Sequence, residues 1–272
     1  ESAPAIADSI VHFVQPYRTR AHSGVQQAAY AISGGRIDTA TAWLTGETAE
    51  GQGPYEDLSW HDHAGSRLAD AALDVILDAY AGPDSYLARL SQGPKPDETS
   101  DAFLNDVLTR LEQSRVLTAH REGTFGVSGL NAAIEEALRE DKAGRTRPDT
   151  EGPNWHGRPI LLGENRYDLG LMNGDVGVFV RDGEEVRAVF PGREPGTVAR
   201  HPLAQLPRHE TAFAMTVHKS QGSEFAHTVL VLPNSRSPIL TRELLYTALT
   251  RAREHVTVCG SRTTLHRGLT RT

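Results

Sequence analysis

A polar segment near the end of the chain carries residue types that bind phosphates. Residues 216–225 (TVHKSQGSEF) follow an apolar stretch and contain seven consecutive small or polar residues. Hydroxyl side chains and the backbone around Gly222 suit phosphate oxygens, and Glu224 suits a ribose hydroxyl. We expect this loop at the carboxyl end of a strand, where α/β sheets bind ligands. The alternative interpretation is an ordinary polar turn.

A second segment, residues 241–254 (TRELLYTALTRARE), adds two arginines. Its spacing predicts a helix over 242–254 that buries one apolar stripe and places Thr247 and Arg251 together on another face. An arginine held by a helix against a sheet is suited to contact a phosphoryl group during transfer. The alternative is that Arg251 and Arg253 are solvated or pair with Glu254.

The elements that would position these segments form an α/β pattern. The front half reads as helical, and an alternation of strands and helices begins at Arg115, as expected for a parallel sheet. Asp182-Gly183 between two apolar runs predicts a hairpin inside a β-rich unit at 157–207. The predicted helices are 3–14, 23–32, 66–80, 101–113, 131–140 and 242–254. The predicted strands are 115–120, 159–163, 176–180, 185–190, 212–217, 228–232 and 255–259.

Composition narrows the class of protein. The 272 residues include one cysteine, Cys259, which excludes a disulfide scaffold and favours a reducing compartment such as the cytoplasm. Residues 1–150 hold 13 Lys and Arg against 23 Asp and Glu, whereas residues 151–272 hold 15 against 12. A polyanion is therefore expected mainly on the second half. No apolar run is long enough to cross a membrane, and the start of the chain does not resemble a signal peptide.

Taken together, the two polar segments closely resemble the fifth and sixth motifs of superfamily one helicases of the 5′-to-3′ form. Residues 121–131 (REGTFGVSGLN) and the stretch 157–177 are similar to the RecD-like branch, most of all to the RecD (alpha) subunit of the RecBCD exodeoxyribonuclease V. Residues 15–19 (QPYRT) resemble the fourth motif. Thr124 departs from this pattern, because the RecD sequences have proline there.

The resemblance implies only half of a motor. A phosphate-cradling loop requires Gly-Lys-Ser/Thr, but the three lysines follow Pro94, Asp141 and His218. The first motor domain is therefore expected outside this chain, which would begin inside a longer protein. The implied fold is a second RecA-like parallel-sheet domain with a helical segment near the N-terminus and an inserted small SH3-like β-barrel. The expected division is 1–156, 157–207 and 208–272.

The resemblance also implies the site. ATP would lie in the cleft between the two motor domains, with Mg²⁺ held mainly by the absent one. Arg18 and Arg251 would act as catalytic residues by reaching the γ-phosphate. The implied nucleotide-binding residues are Tyr17, Gly222, Glu224 and Arg253. The implied contacts to single-stranded DNA are Thr118, Asn131, Thr216, His218 and Ser220. Trp60-His61-Asp62-His63 is not expected to hold a metal, because no further ligands lie nearby in sequence.

The function implied is the C-terminal half of an ATP-dependent 5′-to-3′ DNA helicase subunit. It would couple ATP hydrolysis to translocation on single-stranded DNA in double-strand break repair and recombination, with RecB and RecC as partners. This half alone is expected to be inactive. Two alternatives remain open: a stand-alone RecD-like or relaxase-linked helicase, and a non-catalytic DNA-binding scaffold.

Overall fold

The computed structural model describes residues 23–46, 55–63, 65, 67–141, 143–150 and 152–271. The predicted helix 3–14 lies outside the described residues. The helices are α1 (Gly24–Ser33), α2 (Ile37–Thr45), α3 (Asp70–Ala81), α4 (Tyr86–Gln92), α5 (Ser100–Leu111), α6 (Val127–Glu140), α7 (Arg242–Leu249) and α8 (Arg262–Thr270). The strands are β1 (Leu58–Asp62), β2 (Ser114–Thr118), β3 (Pro159–Leu162), β4 (Val176–Asp182), β5 (Glu185–Pro191), β6 (Val198–Pro202), β7 (His209–Thr211), β8 (Ala214–Thr216), β9 (Phe225–Val231) and β10 (Ala252–Gly260).

A parallel sheet of order β1-β10-β9-β2-β8 forms the frame of the protein. The side chains of β2 and β8 and most of those of β9 and β10 are buried, as expected for parallel strands covered on both faces, whereas β1 at the edge of the sheet is partly exposed. Val116 and Val229 pack in one core cluster with residues of α3–α6. Leu117 and Leu230 pack in another with residues of α1, α2, α7 and α8. The predicted α/β fold with a parallel sheet is confirmed.

Side-chain caps set where several helices begin. The Ser23 hydroxyl accepts from Gln26 N at the start of α1, and the Thr241 hydroxyl accepts from Leu244 N at the start of α7. Such caps satisfy backbone N–H groups that have no partner within the helix. The helices α1 and α7 contact each other on one face of the parallel sheet, where both contribute to the same core cluster.

A second, antiparallel sheet of order β6-β5-β4-β3-β7 lies beside the first. The predicted hairpin is confirmed: β4 and β5 pair across a turn where Gly183 has a left-handed φ of 64°. The sheet runs past residue 207, because β7 pairs with β3. The Tyr86 hydroxyl donates to the Gly157 carbonyl at 2.8 Å, which joins α4 to the entrance of this sheet.

Some elements differ from the sequence prediction. The helix predicted over 242–254 ends at Leu249, because Ala252 already pairs with Phe225 in the parallel sheet. Sheet pairing overrides local helix propensity there. The strands β1, β6 and β7 and the helices α2, α4 and α8 were not predicted. No described helix has the length and apolarity needed to cross a membrane.

His227 is a largely buried titratable side chain within the parallel sheet. It faces His255 on the neighbouring strand, with ring centroids 5.0 Å apart, and shares a 2.9 Å hydrogen bond with the Thr257 hydroxyl. Burial, with a smaller contribution from His255, lowers the pKa of His227 to about 4. The folded protein therefore holds this imidazole neutral at mildly acidic pH.

We expect acidification from pH 6.5 to about 4 to destabilise the protein, because the unfolded chain takes up a proton there that folded His227 excludes. His227→Gln should flatten the pH dependence of the unfolding free energy by up to about 3 kcal/mol. Urea unfolding at a series of pH values measures it. The exposed His266→Gln is the matched control, and equal pH slopes for both variants would refute the prediction.

Candidate functional site

The segment 217–224 connects opposite edges of the parallel sheet. Thr216 ends β8 level with Thr118, which is level in turn with Val231 at the end of β9. The chain, however, enters β9 at Phe225, which lies six residues before Val231 and thus at the amino end of that strand. The segment therefore covers the length of β9, about 20 Å at 3.3 Å per residue. It starts at a carboxyl edge, as predicted, but it ends at an amino edge.

Hydrogen bonds hold the first part of this segment, up to Ser220, in one conformation. Ser220 N donates to Thr216 O at 3.2 Å, and the Ser220 hydroxyl donates to Val217 O at 2.8 Å. Lys219 N donates to the Thr216 hydroxyl at 3.2 Å. Gly222 follows with a φ of 89°, a left-handed conformation that other residues seldom adopt. The polar composition thus produces an ordered turn.

Arg251 lies where the segment ends, although not on a helix as predicted. It follows the last turn of α7, and its Nε still donates to the Thr247 carbonyl at 3.2 Å. Its Nη1 donates to the Ser223 carbonyl at 3.1 Å, and its own carbonyl accepts from Phe225 N at 2.8 Å. Arg251 and the end of the polar segment therefore fix each other's position.

Three of the predicted nucleotide-site residues line one cavity of about 280 Å³: Glu224, Arg251 and Arg253. The opposite wall comes from α1 through Gln26 and Tyr30, which sequence reasoning missed. Nothing in the residue pattern of α1 marks these side chains, since amphipathic helices commonly carry Gln and Tyr. Their packing against α7 is a tertiary contact, which brings them to the site.

Within the described residues, the Arg251 guanidinium donates hydrogen bonds only to neutral groups. The acceptors of its guanidinium are two backbone carbonyls and the Thr250 hydroxyl. An arginine so positioned, partly exposed and lining a cavity, keeps its positive charge available for an anion. The alternative that Arg251 pairs with Glu254 is not what the structure has.

Other predicted site residues are placed differently. Arg18 and Tyr17 lie outside the described residues. Gly222 is exposed and does not line the cavity; its place in the structure is the left-handed turn. Within the described part of the chain, no group of three or more His, Cys, Asp or Glu side chains is arranged to hold a metal ion.

The predicted DNA contacts differ in their exposure. Thr118, Asn131 and Ser220 are buried, and their polar atoms are used inside the protein. The Thr118 hydroxyl donates to the Phe125 carbonyl, and Asn131 bonds both the N–H and the carbonyl of Ala214. These side chains therefore stabilise the loops rather than present a surface. Thr216 is also largely buried, whereas His218 is exposed.

A chain of side-chain hydrogen bonds, not foreseen from the sequence, ties the polar segment to the antiparallel sheet. Lys219 Nζ donates to Asn173 Oδ1 at 2.9 Å, and Asn173 N donates to Asn165 Oδ1 at 2.7 Å. Asn165 Nδ2 then donates to the Tyr167 hydroxyl at 2.8 Å. The residues lie up to 54 positions apart in sequence, so no local pattern reports their contact.

Comparison with known proteins adds the family context. A family model described as the UvrD-like helicase C-terminal domain matches residues 211–259. The chain is 32% identical over 261 residues to the RecBCD enzyme subunit RecD of Haemophilus influenzae, covering 93% of this chain and 38% of that protein. It is 34% identical over 148 residues to the ATP-dependent RecD2 DNA helicase of Deinococcus radiodurans, covering 54% of this chain and 20% of that protein.

Among solved structures, the Pif1 helicase from Bacteroides in complex with ADP-AlF3 and ssDNA aligns with a TM-score of 0.42 at 14% identity, covering 91% of this chain and 51% of that chain. The chain spans well under half the length of the curated relatives described above. The sequence matches confirm the predicted similarity to RecD-like helicases.

Asn131→Ala should destabilise the protein by about 2–3 kcal/mol, because it leaves the N–H and carbonyl of buried Ala214 without their side-chain partner. Urea unfolding at neutral pH measures the change. Asn105→Ala, on α5 and without such bonds among the described residues, is the matched control and should change stability by no more than about 0.5 kcal/mol. Similar losses in the two variants would contradict the structural role of Asn131.

Proposed function

We propose that this chain, similar in sequence to RecD-type helicases, is the C-terminal motor half of an ATP-dependent 5′-to-3′ DNA helicase. The observation that carries the proposal is the cavity that joins Glu224, at the end of the polar segment, to Arg251 and Arg253. The whole protein would couple ATP hydrolysis to movement along single-stranded DNA in double-strand break repair and recombination.

The residues of the cavity fit part of a nucleotide. Two guanidinium groups offer planar donors for phosphate oxygens, and the Glu224 carboxylate offers an acceptor for a ribose hydroxyl. The bound nucleotide supplies the phosphoryl group that is transferred to water. Arg251 would stabilise negative charge on that group, since its guanidinium is held by neutral acceptors. Arg18 is proposed as a second such arginine from the resemblance alone.

The carboxyl edge of the parallel sheet is the proposed contact with single-stranded DNA. His218 is exposed there, whereas the backbone N–H groups of Val217, Lys219 and Ser220 donate to acceptors within the protein. Because the buried side chains at this edge hold the turn in place, we assign DNA contact first to the exposed His218.

The wider organisation is also a proposal. The five antiparallel strands support an inserted SH3-like barrel over 157–211, between the portions 1–156 and 212–272. Its end moves from residue 207 to Thr211 because β7 pairs with β3. The first RecA-like domain would hold most of the Mg²⁺ ligands. RecB and RecC are the proposed partners, and the cytoplasm the proposed location.

A stand-alone helicase is the second candidate, since the similarity extends to a RecD2 helicase. Purification of the whole protein from its native cells separates the two. Stable association with RecB-like and RecC-like subunits supports the first proposal, and a monomer supports the second. A non-catalytic scaffold is the third possibility, and it predicts that the full-length protein lacks DNA-stimulated ATP hydrolysis.

Arg251→Ala in the full-length protein should lower DNA-stimulated ATP turnover by about 10³-fold or more, the effect expected when a phosphate-contacting arginine is removed. ATP affinity, measured by equilibrium binding, should stay within about tenfold of the wild type. Arg139→Ala, an exposed arginine on α6, is the control and should retain full turnover. Turnover in Arg251→Ala equal to the control would exclude the proposed role.

The 272-residue chain by itself should show no DNA-stimulated ATP hydrolysis, because the phosphate-cradling loop is expected in the absent motor domain. A phosphate-release assay with and without single-stranded DNA measures this. Adding the separately produced N-terminal half should restore activity if the halves associate. Substantial turnover by the chain alone would contradict the proposed division of the motor.

A further inference from the structure

Two stretches of this acidic protein have no acidic residue. The chain contains 35 Asp and Glu, yet none occurs in residues 225–241 or 255–272. The charged residues of these stretches, histidine aside, are four arginines. The formal net charge of the chain is −7, so these two stretches carry charge of the opposite sign to the chain as a whole.

Three of these arginines, Arg236, Arg267 and Arg271, line one open cavity of about 870 Å³. The remaining lining residues are serines, threonines, a leucine and a glycine, so the described part of the chain contributes neither a carboxylate nor an aromatic ring to this wall. We call this cavity the arginine cavity. It is separate from the cavity that holds Glu224 and Arg251 and shares no lining residue with it.

The arginine cavity is built by two elements that pack tightly. Arg236 lies in the loop between β9 and α7, and Arg267 and Arg271 lie at the end of α8. Arg242 N donates to the Arg271 carbonyl at 2.8 Å, which ties the end of α8 to the start of α7. A Cβ added at Gly268 would lie 3.0 Å from the Leu240 side chain, so only glycine allows this approach without a shift.

The three guanidinium groups are open to a ligand. All three residues are exposed, and among the described residues none of their side chains forms an ion pair or a hydrogen bond. Some surface arginines elsewhere pair with a carboxylate, as Arg121, Arg166 and Arg200 do, and others do not; these three are distinguished by lining one cavity together. Three uncompensated cations on one wall repel one another, and a multivalent anion would relieve that repulsion.

The position favours a nucleic acid strand as the anion. The loop that carries Arg236 leaves the carboxyl end of β9. In the sheet order β9 lies two strands from β8, so the ends of these two strands are about 10 Å apart. The exposed His218 follows β8 at that same edge. Arginine forks and hydroxyls suit phosphate oxygens, and a wall without aromatic rings offers no platform for bases.

We propose that the arginine cavity binds the sugar-phosphate backbone of single-stranded DNA, beyond the turn at 216–220. The inference rests on the proposed function for the presence of that strand. The cavity would add affinity without base preference, through three phosphate contacts. It would also make binding more sensitive to salt, because each contact releases counterions.

The test compares two triple variants of the full-length protein that lose the same charge. One carries Arg236→Gln, Arg267→Gln and Arg271→Gln. The other carries Arg67→Gln, Arg139→Gln and Arg181→Gln, exposed arginines outside the arginine cavity. Fluorescence anisotropy with a labelled oligo-dT measures affinity from 50 to 300 mM salt. Equal melting temperatures and equal ATP affinities establish that both variants are folded.

The cavity variant should bind oligo-dT at least about tenfold more weakly at 50 mM salt. Its slope of log affinity against log salt should fall by about 2, since each lost single-strand phosphate contact contributes about 0.7. Equal slopes and affinities in the two variants would overturn the proposal. So would a loss of binding to an acidic poly-glutamate peptide in the cavity variant with unchanged binding to oligo-dT, which would assign the cavity to an acidic protein segment.

The two levels of inference fail differently. Suppose that DNA stimulates ATP hydrolysis by the wild-type protein, and that the cavity variant binds oligo-dT with the same affinity and salt slope as the control variant. The proposal for the arginine cavity is then wrong, and the proposed function stands. If the wild-type protein binds no single-stranded DNA, the proposed function is wrong and this inference with it.

Discussion

The candidate site depends on a reciprocal pair of hydrogen bonds between two loops. Arg251 donates from its guanidinium to the Ser223 carbonyl, and the Arg251 carbonyl accepts from Phe225 N. Because each loop supplies both a donor and an acceptor, neither can move without breaking both bonds. This contact places Glu224 and Arg251 in one cavity, and it does so at the point where α7 must end so that β10 can enter the sheet.

The frame was largely predictable, because buried parallel strands and amphipathic helices leave a periodic signal. The strand at 115–120, the hairpin around Asp182-Gly183 and the apolar stripe of α7 appear close to where the sequence predicts them. The end of α7 was not predictable, since residues 250–254 have ordinary helix propensity and only pairing of Ala252 with Phe225 ends the helix. Local patterns do not report such distant competition.

The site was predictable in its chemistry and less so in its geometry. Residue chemistry pointed to Glu224 and Arg251 and the family resemblance added Arg253, and all three line one cavity. The resemblance also implied Thr118 and Asn131 as DNA contacts, and both are buried and bond backbone groups. A hydroxyl or amide serves either purpose equally well, and only its burial distinguishes them. Gln26 and Tyr30 carry no signal at all, because their role arises from the docking of α1.

The course of segment 217–224 has a thermodynamic consequence. Its two ends lie at opposite edges of the sheet, and the turn between Thr216 and Ser220 is internally bonded. If ligands bind at both ends, as we propose, a displacement of the segment that one ligand favours changes the affinity for the other ligand. Linkage then requires reciprocity: the factor by which bound nucleotide changes the affinity for a DNA strand equals the factor by which the bound strand changes the affinity for nucleotide. The conformation of this one short segment would thus couple the binding of nucleotide to the binding of DNA.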